Sequence, residues 1–159
     1  MFDMASKGIN PNVFTYNTLI NAYVKSMDFD GVNEMLRSME MDKIAYNAAT
    51  YTLLIEWYGS SGKIDEAEKL FEEMLERGIE ADIHVYTSII RWQCKLGNMK
   101  RAFALFDELT ERSLVANAHT FGALIDGTCK SGQMDAVEMF VSEMQSHWLR
   151  KYSNLSFDC

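Results

Sequence analysis

The sequence predicts an all-α fold, a right-handed α-α superhelix (solenoid) of stacked helix-turn-helix repeats, on three observations. First, one phrase returns at a fixed spacing of thirty-five residues, as FTYNTLI from Phe14, ATYTLLI from Ala49, HVYTSII from His84 and HTFGALI from His119. A period of this length is the sequence mark of a repeat array. Second, each period carries apolar residues at helical spacing twice over. Third, 48% of the residues are hydrophobic and Pro11 is the only proline, which leaves room for a continuous core and uninterrupted helices.

The elements follow in order within each unit. First helices are expected at about 14–26, 49–61, 84–96 and 119–131. Each opens on an aromatic residue (Tyr16, Tyr51, Tyr86, Phe121), followed by the aliphatic pairs Leu19/Ile20, Leu54/Ile55, Ile89/Ile90 and Leu124/Ile125. In the second unit Tyr51, Leu54, Ile55 and Tyr58 stand at i, i+3, i+4 and i+7, on one face. Gly62, Gly97 and Gly132 then supply the left-handed residue that ends such a helix, whereas the first unit has Met27 there and a less well specified turn. In the second helix, Ile64, Ala67, Leu70, Phe71 and Met74 form a stripe opposite Glu66, Glu68, Lys69, Glu72 and Glu73. The same register gives Val32, Ala67, Ala102 and Val137, then Met39, Met74, Leu109 and Met144. A short loop such as Gly78–Asp82 leads onward.

The units are therefore residues 13–47, 48–82, 83–117 and 118–152, with a tail at 153–159. Residues 1–12 read as the second helix and loop of a partial repeat, since Met1 and Met4 fall in register with Leu36 and Met39. The chain is thus expected to be a short or fragmentary array. A helical hairpin cannot cover its own apolar stripe, so neighbouring pairs must stack.

No stretch reaches the roughly twenty apolar residues that span a bilayer, and no secretory signal or transit peptide is visible. Cys94 and Cys129 occupy one register, where the other units place Val24 and Gly59; both read as small buried side chains rather than a metal pair or disulfide. Cys159 has no evident partner, and a reduced, intracellular setting is the simpler reading. His84 and His119 share a register without cysteine or carboxylate companions, which makes them candidates for a common contact surface and not for metal binding. The clustered carboxylates lie on a solvated helical face, and no nucleophile, phosphate-loop or metal-helix motif is present. Binding is expected, not catalysis, with no cofactor.

The net charge is −8. That speaks against a uniformly basic nucleic-acid binder. The four first helices nevertheless carry +1, −1, +2 and 0, a net of +2 against −10 for the remainder. Lysine recurs at one register as Lys25, Lys95 and Lys130, with Ser60 the exception. Stacking would line those ammonium groups along one edge, where a strand's phosphates can pass.

The TYNTLI phrase, the GKIDEAEKLFEEMLERGIEAD segment and the period together resemble the pentatricopeptide repeat family in its simple, uniform-repeat form, over residues 13–152. Tetratricopeptide repeats have a thirty-four-residue period and a different tryptophan, glycine and alanine pattern. The resemblance implies sequence-specific binding of single-stranded RNA, one base per repeat, in organellar RNA metabolism in mitochondrion or chloroplast. It implies that bases are read by the residue after the repeat's aromatic together with the last residue of the thirty-five. These pairs are Asn17 with Asn47 (a pyrimidine, C more often than U), Thr52 with Asp82 (guanine), Thr87 with Asn117 (adenine) and Gly122 with Tyr152, which departs from the pattern. Base-stacking positions correspond to Phe14, Ala49, His84 and His119, and phosphate-contacting ones to Lys25, Lys95 and Lys130. The implied site is 5′-(C/U)-G-A-N-3′. The competing expectation is a protein-interaction scaffold that holds an extended peptide on its concave face. Self-association through open solenoid ends is a further expectation.

Overall fold

The structure, a computed structural model, describes residues 11–151. Most of the expected partial repeat, Tyr152, the tail and Cys159 lie outside the described residues. Eight α-helices lie within them: α1 (Val13–Lys25), α2 (Phe29–Met41), α3 (Ala48–Ser60), α4 (Ile64–Glu76), α5 (Ile83–Leu96), α6 (Met99–Glu111), α7 (Ala118–Ser131) and α8 (Met134–Lys151). The first helices begin one residue earlier than the sequence pattern indicated, because the capping residue precedes the apolar phrase by two positions.

Two compact units divide the chain, one ending at Ala81 and the other starting at Asp82. In the first, α1 packs on α2 and α3, and α3 on α4. In the second, α5 packs on α6 and α7, and α7 on α6 and α8. Within each unit, first helix thus lies on first helix, as the uncovered stripe of a lone hairpin requires.

The repeated apolar register fills both cores. Tyr16, Ile20, Val32, Met35, Met39, Leu54 and Trp57 form the first cluster, completed by Tyr51, Ile55, Phe71 and Met74. The second holds Tyr86, Ile89, Leu105, Phe106, Leu109, Phe121, Leu124 and Phe140. Phe106 meets the rings of Phe121 and Phe140 edge-on, with centroids 5.7 and 5.3 Å away. Each such side chain stabilises by about 1.5–3 kcal/mol when fully buried. Toward α8 the stripe thins, Val137 and Met144 being only half-buried. Cys94 is buried as expected, but Cys129 is exposed, so the shared register does not give the two a shared environment.

The inner aromatics carry a polar tether. Tyr51 donates to Glu73 (2.9 Å) and Tyr86 to Glu108 (2.8 Å), and those carboxylates also hold Arg77 and Arg112. Where the first repeat has Ser38 at the glutamate's register, Tyr16 donates to Asp42 instead. Burial, reinforced by the carboxylate partner, pushes the phenols of Tyr16 and Tyr51 up to about 12.

All seven interhelical turns share one geometry. A residue in the left-handed region closes each helix, at Met27, Lys43, Gly62, Gly78, Gly97, Ser113 and Gly132. Its N–H bonds three residues back and the next N–H five back, as in Gly97 to Cys94 and Asn98 to Gln93, which is the Schellman pattern. Met27 therefore makes the same turn as its glycine counterparts. In the turns after α2, α4 and α6 the following residue is the half-buried Ile44, Ile79 or Leu114. After α1 and α5 it is Asp28 or Asn98, whose side chain caps the next helix at once.

Candidate nucleic-acid interface

The last residue of each thirty-five has a structural task that sequence reading missed. Asn12, Asn47, Asp82 and Asn117 are the N-caps of α1, α3, α5 and α7. Their side-chain oxygens accept from the N–H groups of Thr15 (2.9 Å), Thr50 (3.0 Å), Val85 (3.0 Å) and Thr120 (3.0 Å). In the three asparagine cases the threonine hydroxyl accepts the cap's own N–H in return, completing a capping box. The signal was present as Asn-x-x-Thr recurring at the repeat period.

In the first unit this cap meets the residue expected to read a base. Asn17, almost buried, donates from Nδ2 to Asn47 Oδ1 at 3.1 Å and accepts at Oδ1 from the Thr50 hydroxyl at 2.7 Å. Asn17 and Asn47 are thus brought together, as the pairing required. In the second unit Thr87 and Thr120 share a hydroxyl-hydroxyl bond of 2.8 Å, and Thr120 also bonds Asn117, so that Thr87 and Asn117 converge on one buried threonine. Thr52 is half-buried and sends its proton to the Ala48 carbonyl of its own helix at 2.8 Å. Its expected partner Asp82 belongs to the second unit and is exposed. Gly122 is exposed, with open space where a Cβ would stand, and Tyr152 lies outside the described residues.

Phe14, Ala49, His84 and His119 all occupy the second position of a first helix, and all are exposed, Phe14 at 75%. Each stands three residues before Asn17, Thr52, Thr87 or Gly122, hence on the same helical face. A flat side chain therefore adjoins a polar one at the start of α1 (Phe14, Asn17) and α5 (His84, Thr87), whereas α3 has Ala49 in place of the ring and α7 has Gly122 in place of the polar residue.

The lysines lie at the opposite ends of these helices. Lys25, Lys95 and Lys130 are exposed in or beside the last turn of α1, α5 and α7, where a cation also favours the helix dipole. Lys130 is bound to Asp126 at 2.8 Å, and Lys95 rests over the Trp92 ring, 4.7 Å from its centroid, as does Arg91. Among the described residues no three His, Cys, Asp or Glu side chains gather to hold a metal ion, and no helix is long and apolar enough to cross a membrane. A groove of about 410 Å³ in the second unit, lined by Phe106, Leu114, Val115, Phe121 and Glu143, contains none of the expected reading residues.

This geometry has counterparts. The PPR repeat family matches residues 11–56, 47–91 and 81–130, and a PPR repeat matches residues 119–149. No curated protein matches the sequence. Among solved structures the chain is similar to the pentatricopeptide repeat protein PPR10 from maize, at 22% identity and a TM-score of 0.80 over 92% of this chain and 21% of that one. It is similar to the same maize protein in complex with an 18-nt psaJ RNA element, at 16% identity and a TM-score of 0.71 over 91% and 21%. The PPR domain of Arabidopsis thaliana protein-only RNase P 1, in complex with tRNA, is similar at 19% identity and a TM-score of 0.74 over 90% and 76%. At these identities the likeness is one of fold. The chain spans about a fifth of the length of the maize protein.

Proposed function

The chain belongs to the pentatricopeptide repeat family, and on that premise we propose that it binds single-stranded RNA sequence-specifically, one base per repeat, in organellar RNA metabolism. Binding is the whole of its chemistry in this reading; cutting or editing is left to partners. The observation that carries the proposal is the contact of Asn17 with Asn47, two residues thirty positions apart that meet at 3.1 Å beside the exposed Phe14 ring. An amide pair of which Asn17 is nearly buried and Asn47 exposed, next to an uncovered aromatic, offers a base both an edge partner and a face. Support also comes from the maize protein's complex with an 18-nt RNA element and the Arabidopsis domain's complex with tRNA.

Stacking on a good platform stabilises by roughly 1–3 kcal/mol per base. Phe14 and the two histidines are the platforms, and Ala49 contributes less. The edges select 5′-(C/U)-G-A-N-3′, with Gly122 leaving the fourth base unread. The test is competition binding at fixed salt with short RNAs that carry this tetranucleotide or its scramble in one neutral flank. A preference on the order of tenfold per read base is expected from one or two hydrogen bonds. Equal affinity for the two sequences refutes the base assignment, and no affinity for either refutes RNA binding.

A further inference from the structure

The position that reads a base in one repeat is wired to the helix start of the next. Thr50 is fully buried, and the capping box needs only that its hydroxyl oxygen accept the Asn47 N–H, here at 3.2 Å. The hydroxyl proton remains to be placed. It lies 3.0 Å from Asn47 Oδ1 and 2.7 Å from Asn17 Oδ1. Asn47 Oδ1 already accepts from the Thr50 N–H and from Asn17 Nδ2, which fills its two lone pairs. The proton therefore goes to Asn17. A flipped Asn17 amide would set oxygen against oxygen at Asn47, so the orientation is fixed from two sides, and one amide N–H and one carbonyl lone pair, at fixed places, are what Asn17 has left to offer.

Thr120, also fully buried, makes the corresponding contact: its hydroxyl is 2.8 Å from that of Thr87, and either of the two can be the donor. The second repeat differs in a telling way. At the equivalent position of the next first helix stands Val85, which has no hydroxyl, and Thr52 spends its proton on the Ala48 carbonyl. Thr52 is then left with lone pairs alone, matching the N1–H and N2–H donors on the edge of guanine.

We infer that the third residue of the following repeat's first helix, Thr50 for the first base and Thr120 for the third, is a positioning residue that sets which hydrogen-bonding group the reading residue presents to RNA. The specificity of a repeat is thus held partly by its successor. This rests on the base-reading proposal, and the experiment separates the two.

The variants are Thr50→Val and Thr120→Val, with Asn17→Ala as the reference for reading and Thr15→Val as the control for capping alone. Thr15 closes the same capping box on Asn12. Val85, buried at this register, shows that the fold takes valine there. Binding is measured by competition among RNAs differing only in the first or only in the third base, alongside melting curves. Thr50→Val is expected to lower the preference for a pyrimidine at the first base by roughly three- to tenfold, the range of one hydrogen bond, leaving the third base unchanged. Thr50→Ser, which keeps the hydroxyl, restores it. Thr120→Val does the converse, and Thr15→Val lowers the melting temperature without touching either preference. If Asn17→Ala shifts the first-base preference while the folded Thr50→Val and Thr120→Val proteins keep theirs within twofold, the positioning role is refuted and base reading stands. If Asn17→Ala shifts nothing, base reading itself fails and takes this inference with it.

Discussion

Met27→Gly should raise the stability of the chain, although it removes a large side chain. Met27 sits at φ 58° in the turn between α1 and α2, where its counterparts Gly62, Gly97 and Gly132 have φ between 76° and 84°. An L-residue with a Cβ is held there at a cost of roughly 1–2 kcal/mol. Its side chain is 59% exposed, so truncation loses little packing. Glycine gives back roughly 0.5–1 kcal/mol through the greater freedom of the unfolded chain, leaving a net gain of about 0.5–1 kcal/mol. Lys43 (φ 55°) and Ser113 (φ 59°) occupy the same conformation in two other turns. Effects at separate turns add, so the triple glycine variant should gain about 2 kcal/mol, or roughly 5 °C in melting temperature for a chain of this size. The reciprocal change is Gly97→Ala, where an added Cβ has nothing within 4 Å and any loss is backbone strain alone; it should cost about 1 kcal/mol. Thermal and urea unfolding followed by far-UV circular dichroism reads both. A triple variant that melts at or below the parent, together with a neutral Gly97→Ala, would refute the assignment of strain to these turns.

Lys63 is the N-cap of α4 and makes no side-chain cap bond, whereas Asn98 caps α6 at the same register with Arg101 N–H. Lys63→Asn should therefore stabilise by about 1 kcal/mol in urea unfolding, and no gain would mean the cap geometry is not adopted. The raised phenol groups of Tyr16 and Tyr51 give stability that is fully present below pH about 10 and is lost as pH rises through about 12; Tyr51→Phe should flatten that alkaline loss in a pH series of melts. Burial pushes the Cys94 thiol up to about 11, with Asp126 adding to it, while Cys129 is exposed. Iodoacetamide near neutral pH should label Cys129 well before Cys94 in peptide mapping, and equal labelling would contradict the burial. Lys25→Ala should lessen the salt dependence of RNA binding by about 0.7 in logarithmic slope, the value for one phosphate on a single strand. Lys130→Ala should do so less, because Lys130 is already paired with Asp126.

The helices were legible because their information is local and repeated. Tyr51, Leu54 and Ile55 announce a buried face by spacing alone, and three further copies in phase remove ambiguity. The turns were half legible. Gly62, Gly97 and Gly132 name their conformation, since glycine is the residue that takes it freely, but Met27, Lys43 and Ser113 adopt it because packed helices on both sides leave no other path. Tertiary constraint of that kind leaves no local mark. The environment of Cys129 was misjudged for a related reason: register fixes a position along the helix, while burial depends on what the neighbouring helices bring to it. At the candidate site, the residues could be placed from the repeat but not their bonds. Asn17 and Thr50 are thirty-three positions apart, and only stacking puts a hydroxyl against that amide.

Under the proposed function the last repeat residue has a double duty, to cap and to read, and this constrains how such a surface encodes a sequence. A residue that must cap a helix can be Asn, Asp, Ser, Thr or Gly, and replacing a good cap with an apolar side chain costs about 1 kcal/mol. Asn47, Asp82 and Asn117 sit inside that restricted set and differ in little beyond charge. The reading position suffers no such restriction. Asn17, Thr52, Thr87 and Gly122 each lie in a helix whose backbone bonds are satisfied without them, so amide, hydroxyl and bare backbone all fold. Variation is concentrated where the helix tolerates it, and the cap converts a small change, amide to carboxylate, into the gain of a negative charge and the loss of a donor. On this argument an array diversifies its specificity first at the free position and uses the cap for the single distinction its chemistry allows, between a group that both donates and accepts and one that only accepts.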